Sequence, residues 1–157
     1  MERALLAVGG LLMLCLLVIG GLVYLERSED RVAVDAVLAE DFSRAVTLAD
    51  GGSDPVAVDA LTGFAWDRML LVAEGTPREA ISHALGSEFK GDLLYTAESK
   101  DTLVFARGSG LAAFADYRGP GRFDGVVRPI AQFTPATAVF RVRGMVITPE
   151  PGGRVGP

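Results

Sequence analysis

TLVFARGSGLAAFADYR, residues 102–118, is the stretch on which the fold turns. Two runs of β-branched, aromatic and small apolar residues, Thr102 to Arg107 and Leu111 to Arg118, flank Gly108-Ser109-Gly110. Glycine reaches the positive φ that a tight turn between right-twisted strands demands, so the segment predicts an antiparallel hairpin. A lone hairpin is marginal in water and must find further strands or a helix to cover its apolar side. The chain offers both.

Immediately upstream, Phe64 to Ala73 reads as a strand. Phe64, Trp66, Leu70 and Val72 alternate with Ala65, Asp67, Met69 and Leu71, and both sets are largely apolar, which predicts a central position in a sheet. Thr76-Pro77-Arg78-Glu79 then has the form of a capping box with proline at the first helical position. It predicts a helix from Pro77 to Leu85, with Ile81, Ala84 and Leu85 buried and Gly86 as the left-handed terminator. Leu93 to Ala97 reads as a short strand. Further upstream, Val34, Val37/Leu38, Asp41/Phe42, Ala45 and Leu48/Ala49 recur at helical spacing, so a helix is expected from Ser28 to about Asp50, either freshly capped at Ser28 or one long rod with the apolar run before it, since nothing from Tyr24 to Arg31 breaks a helix. Gly51-Gly52-Ser53-Asp54-Pro55 ends it, and Val56 to Gly63 has room for one short helical turn.

Downstream of the hairpin, Gly119-Pro120-Gly121 breaks the second strand. Val126 to Phe133 contains Pro129 and is at most an edge strand. Thr137 to Arg143 alternates, with Ala138, Phe140 and Val142 inward and Val139, Arg141 and Arg143 outward. Beyond Thr148 the sequence Pro149-Glu150-Pro151-Gly152-Gly153 has nothing to pack, so residues 149–157 are expected as a disordered tail.

The amino terminus differs in kind. Ala4 to Leu25 is a run of 22 residues without a charge. As a helix it would span ~33 Å, enough for a bilayer hydrocarbon core of ~30 Å. It is longer than a signal-peptide core and lacks a well-placed cleavage site, which predicts an uncleaved anchor. Leu14 stands where a lipoprotein would carry a small residue before Cys15. The Lys/Arg count around the run does not favour a cytoplasmic amino terminus, but large domains translocate largely regardless of charge, and the domain is expected outside the cytoplasm. The organisation read from the sequence is an anchor (1–27), a membrane-proximal helix and linker (28–53), an α+β domain (54–148) and the tail. The fold class is α+β: an N-terminal transmembrane helix, then a small antiparallel sheet with its helices packed on one face.

Composition excludes several functions. From Glu26 onward the chain carries 14 Lys/Arg and 19 Asp/Glu, an acidic balance that argues against binding nucleic acid. Cys15, the one cysteine, lies inside the apolar run, so the domain has no disulfide and no thiolate chemistry. With one histidine and no clustered carboxylates, neither a metal nor another cofactor is expected. Arg outnumbers Lys 13 to 2, and with abundant Ala, Gly and Val this points to a GC-rich bacterial genome.

Four segments resemble a group of small, uncharacterised bacterial membrane-anchored or lipoprotein-like proteins. They are the strand start Phe64-Ala65-Trp66-Asp67-Arg68, the Thr76 to Gly86 helix closing on Leu-Gly, the apolar hairpin that follows, and the exit Arg118 to Asp124. The chain departs from the group's pattern at Gly75, where an aromatic residue is expected, and in lacking a lipid-attachment cysteine. The resemblance implies an anchored extracytoplasmic domain and carries no activity with it.

Trp66-Asp67-Arg68 is the most suggestive cluster, a carboxylate beside an aromatic wall that suits ligand binding or acid–base work. Its structural alternative makes Trp66 a core anchor and has Asp67 hold loop amides or an arginine such as Arg118. Arg107, Arg118, Arg122 and Arg128 surround the hairpin and its exit; convergent, they would bind an anion, and apart they are solvated or carboxylate-paired. His83 lies ~200° round its helix from Ile81 and is expected in solvent. Trp66, Asp67, Arg107, Arg118 and Arg122 are the candidate ligand-binding residues; no catalytic set stands out. The expected function is a single-pass binding or accessory protein of the bacterial envelope, held by Ala4 to Leu25 in the inner membrane, its partner another envelope protein or a small envelope component. The alternatives are an envelope enzyme built on Asp67 and the arginines, and a structural subunit of a membrane assembly.

Overall fold

A computed structural model describes residues 35–52, 54–91 and 101–151. The apolar run 4–25, the start of the first helix before Asp35, the strand expected over 93–97 and residues 152–157 lie outside the described residues. Among the described residues no helix is long and apolar enough to cross a membrane.

The order is α1 (Ala36–Ala49), β1 (Val56–Ala57), a 3₁₀ helix (Val58–Leu61), β2 (Arg68–Ala73), α2 (Arg78–Leu85), β3 (Asp101–Arg107), β4 (Gly110–Tyr117), β5 (Arg122–Phe123), β6 (Ile130–Phe133), β7 (Val139–Arg143) and β8 (Val146–Pro149). This is an α+β fold with two four-stranded sheets, ordered β4-β3-β2-β6 and β1-β7-β8-β5. All pairs are antiparallel except β5 with β8.

The hairpin is where the sequence puts it. Arg107 pairs with Gly110, leaving Gly108-Ser109 as the turn, and Gly108 takes φ +61°. A bulge after Phe105 absorbs one extra residue of β4. β2 is central, between β3 and β6, and β6 is an edge strand, as Pro129 just before it required. The alternation in β7 holds as well: Ala138, Phe140 and Val142 are buried.

Four expectations change. First, there is no single sheet with both helices on one face. One face of the first sheet, through Met69, Leu71, Leu103, Phe105 and Tyr117, meets α1 and the second sheet. Its other face, through Leu70, Val72, Val104 and Phe114, is covered by Ile81 and Leu85 of α2 and by Phe89. The helices therefore lie on opposite faces, because β2 and β3 are apolar on both and each side needs a cover. Second, β2 begins at Arg68, not Phe64. The chain before it is irregular, so the alternation does not run through, and Trp66 packs in the core with Met69 and Leu71 instead of Leu70 and Val72.

Third, the helical ends differ. In α1 the buried line is Leu38, Phe42 and Val46, while Val37 and Leu48 are 70% and 77% exposed. Asp35 is the N-cap and accepts from the Leu38 amide at 2.9 Å. In α2 the N-cap is Pro77, without a side-chain cap bond. The Thr76 hydroxyl donates instead to the Ala73 carbonyl at 2.6 Å, so the capping box does not form. Gly86, at φ +77°, ends α2 as expected, and His83 is exposed. Fourth, residues 149–150 are not tail. Pro149 closes β8, the Glu150 amide donates to Val139, and its carboxylate pairs with Arg141 at 2.6 Å.

The two sheets share a core of aromatic rings. Phe42 of α1 meets Tyr117 edge-on at 5.2 Å and stacks on Phe123 at 6.0 Å, and Phe140 meets Phe133 at 5.2 Å. Such pairs contribute ~0.5–1.5 kcal/mol each beyond the area they bury. They hold α1 against both sheets.

Candidate functional site

The Trp66-Asp67-Arg68 segment sits at the hairpin end of the first sheet. Trp66 is buried, edge-on to Phe105 at 5.3 Å, and its indole N–H donates to Thr62 Oγ1 at 2.9 Å. The Asp67 carboxylate accepts from the Gly108 amide at 2.6 Å, bracing the turn of the hairpin. Arg68 donates to the Ala84 and Leu85 carbonyls at 3.2 and 2.7 Å, where α2 leaves its last acceptors unpaired. All three side chains are thus engaged in holding β2, α2 and the β3–β4 turn together. The loop-amide alternative for Asp67 is what the geometry has; Arg118 pairs elsewhere.

The candidate arginines do not converge. Arg107 is beside the hairpin turn. Arg118 follows the opposite end of β4, about 24 Å away at ~3.4 Å per strand residue, where it binds Asp116 Oδ2 through Nε and Nη2 at 2.9 and 2.7 Å. Arg122 is on the other sheet. Trp66 and Asp67 therefore share a neighbourhood with Arg107 alone of the candidate arginines.

The first sheet holds a charged pair that the sequence did not single out. Asp101 opens β3, is only 4% exposed, and is gripped by Arg128 through both guanidinium nitrogens. Burial raises its carboxyl above the usual range, against the lowering by the Arg128 hydrogen bond and charge; Glu74 adds to the rise. Tyr117 lies opposite it across the β3–β4 ladder, its hydroxyl donating to the Pro120 carbonyl. Burial, and then the Asp101 charge, push that phenol up to about 12. The only trace of the cluster in the sequence is Arg128 itself, because pairing at a separation of 27 residues has no local pattern. Among the described residues no group of three His, Cys, Asp or Glu could hold a metal ion.

Arg107 on the first sheet is exposed and has no side-chain partner among the described residues; two further such arginines stand on the second sheet. Arg122 and Arg143 both pair in register with Val146, which puts all three on its outward face, since Phe123, Val142 and Ile147 one step along are buried. Their backbones are two strand spacings apart, about 10 Å. Both arginines are exposed, and neither side chain has a partner among the described residues. Beside them Met145 occupies the left-handed region at φ +58°, uncommon for a residue with a side chain. Its amide donates to Asp50 and its carbonyl accepts from Arg122, so the turn is fixed from both sides. Arg141, on the same face, is occupied by Glu150. An exposed face with a fixed turn and two guanidinium groups without partners among the described residues suits contact with a partner surface better than enclosure of a small substrate.

No protein family matches this chain, and neither do any curated protein or solved structure.

Proposed function

We propose that the protein is a single-pass, membrane-anchored binding or accessory module of the bacterial cell envelope, its α+β domain outside the cytoplasm. The apolar run from Ala4 to Leu25 and the resemblance to anchored envelope proteins support the location. The observation that carries the binding reading is the outward face of the second sheet, where Arg122 and Arg143 flank Val146 and have no side-chain partner among the described residues. Arginine and methionine are enriched at protein interfaces, and arginine, with tryptophan and tyrosine, is among the residues enriched at hot spots. The partner is another envelope protein presenting carboxylates to this face.

The enzyme alternative, built on Asp67 and the hairpin arginines, has less support. Asp67 already accepts from the Gly108 amide, and the arginines lie on two sheets. A structural subunit differs from a binding module only in the permanence of its contact.

Two measurements test the reading. A reporter active only outside the cytoplasm, fused after Pro157, is expected to be active. A photo-crosslinking residue in place of Val146 of the full chain, in its native membrane, is expected to give a discrete adduct that Arg122→Glu with Arg143→Glu abolishes. Adducts from the exposed Ser109 position but not from 146, or an adduct indifferent to both arginines, would overturn it.

A further inference from the structure

We draw no further inference here: the strongest candidate, the outward face of the second sheet where Arg122 and Arg143 flank Val146 beside the left-handed Met145, belongs to the surface already described, and nothing in the structure shows what covers it.

Discussion

Replacing Gly119 by alanine tests the joint between the two sheets. The chain leaves β4 at Tyr117 and enters β5 at Arg122, and the turn between them passes close against α1. A Cβ on Gly119 would meet Ser43 Oγ first, with Tyr117 Cε2 at 2.6 Å and Ser43 Cβ at 2.8 Å. Ordinary van der Waals contact begins near 3.4 Å, so a neighbour must move by more than half an ångström. None moves freely. Ser43 Oγ donates to the Ala39 carbonyl at 2.8 Å, and the Tyr117 ring is wedged between Phe42 and Phe123, at 5.2 and 5.6 Å. Overpacking at such a site costs ~1–3 kcal/mol, a substantial part of the ~5–15 kcal/mol that holds a domain together.

Relief should come from the helix side. Ser43→Ala removes the nearest atom and gains a few tenths of a kcal/mol in helix propensity. The Gly119→Ala/Ser43→Ala double variant should therefore be better than the sum of the singles by ~0.5 kcal/mol or more. Gly63→Ala is the control: nothing lies within 4 Å of its Cβ and its φ is not left-handed, so it should be neutral or stabilising by up to ~1 kcal/mol. Urea unfolding of the full chain in detergent, followed by the fluorescence of its one tryptophan, reads all four midpoints. A Gly119→Ala midpoint equal to the parent's, or an additive cycle, would refute the close approach of this turn to α1.

Trp66→Ala leaves a void beside Phe105 and should cost ~3–5 kcal/mol; a near-unchanged circular-dichroism melting midpoint would remove Trp66 from the core. Asp67→Asn keeps an acceptor for the Gly108 amide and loses only the charge, so urea midpoints should fall by the equivalent of ~1 kcal/mol or less. For Asp101 the sign follows from a folded value raised above the ordinary 3.8. Its charged form opposes folding at neutral pH, and that penalty fades as pH falls through the folded value and is absent below the unfolded one. Asp101→Asn should thus be neutral or stabilising at pH 7 and should lose its advantage by pH 3; a variant destabilised at pH 7 would make the Arg128 pair the stronger effect.

What was legible in the sequence was whatever local chemistry dictates. Gly108-Ser109-Gly110 could hardly be other than a turn, Gly86 ends its helix in a left-handed conformation that glycine alone adopts freely, and the alternation around Phe140 survives in the structure. The misreadings share a cause. Periodicity tells which residues share a face but not what that face meets. The apolar faces of β2 and β3 were visible, yet nothing local says that one is covered by a second sheet and the other by α2 and Phe89. The stripe in α1 was right at Leu38, Phe42, Ala45 and Ala49 and wrong at Val37 and Leu48 for a related reason: both fit helical spacing, but Phe42 is the residue the rings of Tyr117, Phe123 and Phe140 surround, and it sets the rotation of the helix. The candidate site obeys the same limit. Trp66, Asp67 and Arg68 drew notice because they adjoin in sequence, and each proves to serve the joining of elements. Arg122 and Arg143 stand on strands 21 positions apart in the chain and become neighbours on one face only because both pair with Val146. A face assembled across β5, β8 and β7 has no sequence signature. Of its residues only Arg122 was among the candidates, chosen for its place beside the hairpin exit and not for the strand that completes the face.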